Sequence, residues 1–77
     1  MHTIGRIKRS ESEQLTVTIQ TFAGSEGIDA RVFFKDTDGK WKPTKRGIRI
    51  RFDEGEALLR LIAKALNTKK DKLVDSE

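Results

Sequence analysis

With 77 residues, a formal net charge of +4 and no cysteine, the chain is one small domain that neither disulfides nor a thiolate-bound metal can brace. Its single histidine, His2, leaves a histidine metal site or a Ser/Cys–His catalytic pair without parts, so neither an enzyme nor a cofactor is expected. A domain this short buries only about 60% of its unfolded surface, which makes a homodimer the expected source of further stability.

The charge is unevenly spread. Residues 1–52 hold eleven Lys/Arg against six Asp/Glu, whereas residues 53–77 hold five against six. The basic surplus therefore lies on the part that reads as sheet, which points to a polyanionic partner. No apolar run approaches a membrane span and no signal-peptide core is present. The expected location is intracellular: the cytoplasm or nucleoid of a prokaryote or phage-infected cell, or the nucleus of a eukaryote.

Residues 1–9 read as a short strand, with Ile4 and Ile7 apolar and Arg6, Lys8 and Arg9 cationic; Gly5 hints at a bulge. Residues 10–14 read as a loop. Residues 15–23 form the cleanest strand, since Leu15, Val17 and Ile19 alternate with Thr16, Thr18 and Gln20. Phe22 shares the parity of the polar set. It is either a platform on which a base can stack or a ring packed beneath a loop or second subunit.

Gly24 and Gly27 mark a hairpin in which two residues are free to take positive φ. Residues 28–35 are the third strand. Ile28, Ala30, Val32 and Phe34 share one parity, and Asp29, Arg31, Phe33 and Lys35 the other, so Phe33 and Phe34 cannot both enter one regular face. Residues 36–39 form a turn ending in Asp-Gly.

Residues 40–51 hold six basic residues, no acid, and the only Trp and Pro. After a loop around Pro43, Ile48, Ile50 and Phe52 alternate with Arg49 and Arg51, which predicts a fourth strand with one buried and one cationic face. Such a strand suits a polyanion. It also suits an edge strand kept soluble by its charge.

Asp53 and Glu56 form a capping-box-like opening to a helix, whose stripe is Leu58, Leu59, Ile62, Ala65 and Leu66. Asn67 and Lys69-Lys70 suit its end, and residues 68–77 read as a charged tail to which Leu73 and Val74 could add contacts. The predicted class is α+β: a four-stranded antiparallel curved sheet followed by one C-terminal helix, with the domain spanning residues 1–67. Asp29, Asp36 and Asp38 could be imagined as a metal cluster, but Asp36 and Asp38 suffice as turn formers.

Residues 28–48 resemble the DNA-binding core of the positive cofactor four (p15) family of transcriptional coactivators. The shared pattern is Asp29 and Arg31, Phe33 and Phe34, Asp38-Gly39, Lys42-Pro43, Lys45-Arg46 and Gly47-Ile48, without a gap. Ile4-Gly5-Arg6 is similar to the family's opening element, and Phe22 falls where the family carries an exposed Phe. The resemblance spans roughly residues 4–66 and fits a compact prokaryotic or phage-type member, since the acidic Ser-rich segment of the eukaryotic proteins is missing.

The resemblance implies a ββββα homodimer of whirly-like architecture that binds single-stranded DNA, or unpaired stretches of duplex, with little sequence preference. Phe22 and Phe34 would stack on bases, while Arg6, Arg31, Lys42, Lys45 and Arg46 would meet phosphates. The family's second aromatic, a Trp in its best-known member, is Phe34 here, so Trp41 would share the stacking. Gln20, Ala23 and Ser25 replace basic positions around the family's Phe; Arg49 and Arg51 have no counterpart and would compensate, with Lys8 adding to the first strand. Asp53 and Gly55 stand where the family's helix begins with Pro and an early Trp. The expected function is non-sequence-specific single-strand binding by a dimer, as a cofactor in transcription, replication, recombination or repair, alongside proteins of those processes. An RNA-binding module and a small dimeric adaptor for acidic proteins are the alternatives.

Overall fold

The computed structural model describes residues 2–72, with side chains through residue 69. Four strands, β1 (His2–Lys8), β2 (Glu13–Phe22), β3 (Ser25–Lys35) and β4 (Trp41–Arg51), precede one helix, α1 (Phe52–Lys72). The strands form an open antiparallel meander in the order β1-β2-β3-β4. The predicted class holds. Among the described residues no helix is long and apolar enough to cross a membrane.

The turns follow from local chemistry. Phe22 pairs with Ser25, which leaves Ala23 and Gly24 as a two-residue turn, both at positive φ (49° and 82°). This backbone matches the right-handed twist of the flanking strands. Gly27 is therefore not a turn residue, as its sequence context suggested. It lies in β3, where an added Cβ would come 2.7 Å from the Ile50 carbonyl oxygen. In the next turn, one Asp36 carboxylate oxygen accepts from the N–H groups of Asp38 and Lys40, both at 2.9 Å, and Gly39 takes positive φ.

Two irregularities shape the sheet. The β1–β2 register slips between Thr3 and Gly5, a bulge beside the expected glycine. The β3–β4 register slips between Arg31 and Phe33. Pro43 lies inside β4 rather than in a loop, opposite Phe33. An edge strand tolerates this because the proline's missing N–H costs no ladder bond on the solvent side. At Gly47, an added Cβ would lie 2.5 Å from the Ala30 carbonyl oxygen and 2.6 Å from the Arg31 Cα, so β4 approaches β3 more closely there than any side chain permits.

Cross-strand pairing sorts the side chains by face. Val17, Ala30 and Ile48 form one row, Ile19, Ile28 and Ile50 the next, and Ile7, Leu15 and Val32 a third. The helix covers only part of this apolar face. It meets the sheet at Gly55, where an added Cβ would lie 3.4 Å from the Ile28 Cδ1, and leaves an apolar cleft of about 360 Å³ between Ile28, Ala30, Ile50, Leu58 and Ile62. Ile4, Ile7 and Ile48 stay exposed on the sheet, as do Phe52, Leu59, Leu61 and Leu66 on the helix. The Cα radius of gyration, 15.3 Å, exceeds the roughly 11–12 Å of a compact chain this long.

The helix starts earlier than its sequence suggests. Glu54, not Glu56, accepts from the backbone N–H of Arg51 at 2.9 Å, the reciprocal half of a capping box. Asp53 instead takes the Arg51 side chain at 2.9 Å. The helix also continues past residue 67 to Lys72, while Leu73 and Val74 lie outside the described residues.

Candidate nucleic-acid interface

The second face of the sheet is polar, yet its centre is the more deeply buried. Thr16, Thr18 and Asp29 are 2%, 1% and 1% exposed. Thr18 and Asp29 face each other across β2 and β3, and Arg49 follows on β4. A carboxylate this buried requires charged or hydrogen-bonded partners. Arg31, two residues along β3 and on the same face, supplies them: its Nε donates to Asp29 Oδ2 at 2.9 Å and its Nη2 to Oδ1 at 2.7 Å. The remaining Arg31 nitrogen, Nη1, donates to the Thr44 carbonyl at 2.9 Å, and the Thr44 hydroxyl donates to the Val32 carbonyl at 2.7 Å. The Asp29 hydrogen bond raises the Arg31 pKa further above its ordinary value. Arg31 thus clamps β3 to β4 before any ligand arrives.

Asp29 also holds Arg49, whose Nε lies 3.6 Å from Oδ1. The Arg49 guanidinium carbon sits 3.5 Å from the centre of the Phe22 ring. Phe22 therefore belongs to the polar face, half-exposed and capped by a cation. Farther along the face, Phe33 and Trp41 wall an open groove of about 650 Å³ whose other sides include Pro43, Lys45 and Arg49. Lys35 Nζ stands 5.5 Å from the centre of the Trp41 ring. Arg6 lies across β2 from these rings, opposite Thr16. Neither Arg6 nor Lys45 has an ion-pair partner among the described residues. Lys8, opposite Gln14 on the same face, meets the exposed Glu11 at 3.3 Å.

Of the ten residues singled out from sequence, Arg6, Lys8, Phe22, Arg31, Trp41, Lys45 and Arg49 share this face. Phe34, Lys42 and Arg46 do not join them within one protomer. The unbroken β2–β3 register pairs Phe34 with Glu13, on the side of Leu15 and Val17, where Phe34 is 40% exposed. Lys42 pairs with Phe34 and binds Asp36 at 3.1 Å, and Arg46 binds Glu13. Together they form a second aromatic and basic cluster at the outer end of the apolar face.

Phe33 is the aromatic that sequence reasoning passed over. Its parity with Asp29 and Arg31 was the available signal. Among the described residues no three His, Asp or Glu side chains gather into a metal site. Asp29 is engaged by two arginines, and Asp36 by its own turn and Lys42. Those bonds, chiefly that from the Lys40 N–H and then that from Lys42, hold the Asp36 carboxyl below its ordinary pKa.

The sequence pattern of the family described as Transcriptional Coactivator p15 (PC4) matches residues 9–61. No curated protein matches the chain in sequence. Among solved structures, a PC4 homolog from Burkholderia pseudomallei superposes in an orthorhombic crystal form with a TM-score of 0.78 at 25% identity, covering 82% of this chain and 85% of that one. Its tetragonal form gives 0.77 at 25% identity, over 82% and 93%. The bacteriophage T5 homolog of the eukaryotic transcription coactivator PC4, implicated in recombination-dependent DNA replication, gives 0.71 at 20% identity, over 99% and 97%. The last likeness is one of fold.

Proposed function

The chain belongs to the Transcriptional Coactivator p15 (PC4) family, and from that membership we propose that it binds single-stranded DNA without strong sequence preference, as a homodimer. The observation that carries the reading is the shared face of Phe22, Phe33 and Trp41 with Arg6, Lys45 and Arg49. Single strands are held by cationic grooves with aromatic platforms, each stacked base contributing about 1–3 kcal/mol as judged by truncation. Arg6, Lys45 and Arg49 are the cations for phosphates, Arg49 also guards the Phe22 ring, and Arg31 with Asp29 fixes the floor. Lys8, Phe34, Lys42 and Arg46 extend the track around the sheet end.

The dimer reading is supported by apolar surface the protomer leaves in water. Leu59, Leu61 and Leu66 are 64%, 63% and 63% exposed on one helix, and burying such a side chain contributes about 1.5–3 kcal/mol. A second copy supplies a matching surface by two-fold symmetry, and two grooves on one particle raise the effective concentration of the second binding event. The proposed setting is transcription, replication, recombination or repair inside a prokaryotic or phage-infected cell, with proteins of those processes as neighbours.

The test titrates labelled single-stranded DNA, matched RNA and duplex at two salt concentrations. Tight binding to the DNA strand, falling with salt at a log–log slope near −0.7 per neutralised phosphate, is expected. Equal RNA affinity would make this a general single-strand module. Binding to none of the three would leave the basic face to an acidic protein and overturn the proposal.

A further inference from the structure

The β3–β4 ladder sets Phe33 opposite Pro43 and then Arg31 opposite Gly47, so Thr44, Lys45 and Arg46 together oppose Val32 alone. An unbroken ladder counted on from the Phe33–Pro43 pair would place Lys45 directly opposite Arg31, where like charges are destabilising. The extra residues lift it out of line, and a bulge of this kind re-aims the side chain it carries. Lys45 stands exposed on the wall of the groove, whereas Arg46 goes to Glu13 on the other side of the sheet.

Thr44 holds this bulge at three points. Its hydroxyl donates to the Val32 carbonyl at 2.7 Å and accepts from the Arg46 N–H at 3.1 Å, and its carbonyl accepts from Arg31 Nη1 at 2.9 Å. The bond from Arg46 closes a tight turn around Lys45, a local motif that Ser and Thr side chains favour. Beyond the bulge the register is fixed separately, because Gly47 packs too closely against Arg31 for any side chain. The hydroxyl therefore governs the tip of the bulge and not the rest of β4. Its own proton is already engaged with Val32.

We infer that Thr44 is a positioning residue of the proposed groove: its hydroxyl holds the turn that sets the Lys45 ammonium against a phosphate of the bound strand. The inference rests on the single-strand reading and names the group that places one of its cations. Without the hydroxyl the root of Lys45 is released, and fixing it again on binding costs conformational entropy.

The experiment measures oligo(dT) affinity across a salt series for the wild type, Thr44→Val, Thr44→Ser, Lys45→Ala and the double variant Thr44→Val/Lys45→Ala. Lys45→Ala should make the log–log slope shallower by about 0.7, the loss of one phosphate contact. Thr44→Val removes no charge, yet it should shift the slope in the same direction and weaken binding about two- to fivefold, the scale of one exposed ion pair. Thr44→Ser keeps both hydroxyl bonds and should restore wild-type binding. In the Lys45→Ala background, Thr44→Val should cost no further affinity, since the group it places is gone. Thr44→Val should lower the melting temperature in both backgrounds, so the coupling in affinity, and not stability, separates a positioning role from a structural one. If Thr44→Val fails to fold, Thr44→Ala, which puts no branched methyl into the bulge, takes its place. An equal loss in both backgrounds, no loss in either, or a Lys45→Ala slope equal to that of the wild type overturns the positioning role and leaves single-strand binding standing. Absence of binding by the wild type overturns both.

Discussion

Arg49 covers Phe22: its guanidinium carbon lies 3.5 Å from the ring centre, within the range of a cation–π contact. A base that stacks on Phe22 must displace this cation or stack upon it. Arg49→Ala should therefore remove one phosphate contact, flattening the salt slope by about 0.7, while laying the ring bare. Phe22→Ala should weaken binding at every salt concentration and leave the slope alone. Fluorescence anisotropy over a salt series distinguishes the two; identical behaviour would dissolve the pairing.

Phe33 and Phe34 face opposite ways. Phe33→Ala, in the groove with Trp41, should lower single-strand affinity by about 1–3 kcal/mol, the loss of one stacking platform. Phe34→Ala, at the outer end of the apolar face, should cost less. Competition binding with both variants measures the difference, and a larger loss at Phe34 would mean that the strand runs around the sheet end instead.

The Asp29–Arg31 clamp is a stability element. Breaking a buried ion pair by removing one partner costs about 3–5 kcal/mol. Arg31 remains 18% exposed at its side chain, which places Asp29→Asn towards the lower end of that range. Urea unfolding reads this directly, and a cost below 1 kcal/mol would show that the clamp is dispensable.

Leu66→Glu addresses the assembly. Residue 66 is exposed in a lone protomer, where a charge should be tolerated. In a dimer that buries the helix stripe, the charge should split the particle. Sedimentation equilibrium reports the mass; an unchanged dimer would move the interface off this stripe.

The Asp36 turn sets an acid limit. Its carboxyl titrates below the ordinary carboxylate range, because the Lys40 N–H and the Lys42 ammonium favour its charged form. The native state thus binds this proton less readily than the unfolded chain. The associated stability is complete above the ordinary carboxylate pKa and is lost as pH falls through the lowered value. Asp36→Ala should lower the melting temperature at neutral pH and remove part of its decline in acid, as thermal melts across that range would record.

The element order and the face of Phe22 were legible because β2 alternates cleanly and its turns carry glycine and aspartate. Phe34, Lys42 and Arg46 were set on the binding face by the family resemblance, although parity already separated them: Phe34 runs with Ile28, Ala30 and Val32, and Lys42 and Arg46 alternate with Lys45 and Arg49. The slip between Arg31 and Phe33 takes two residues of β3 against four of β4, which preserves that parity, and no local signal announces the slip itself. Pro43 suggested a loop because sequence does not say which strand is an edge. The helix start was misjudged by two residues, since Glu54 and Glu56 are equally good caps until the backbone of Arg51 chooses one. The buried role of Asp29 was hidden for a related reason: an alternating polar position reads as solvent-facing, yet a crowded polar face can be drier than an apolar one awaiting its cover.

The bare Cα of Gly47 has a reach beyond its own position. The Lys45 and Arg49 side chains flank it two residues away on either side of β4, so the gap between that cationic row and the phenyl rings is set by a missing methyl group. Any larger residue there would wedge the two ribbons apart and carry both cations out of step with a passing sugar–phosphate chain. The ruler for the spacing is an empty volume, and it would be lost without a single charge or ring being touched.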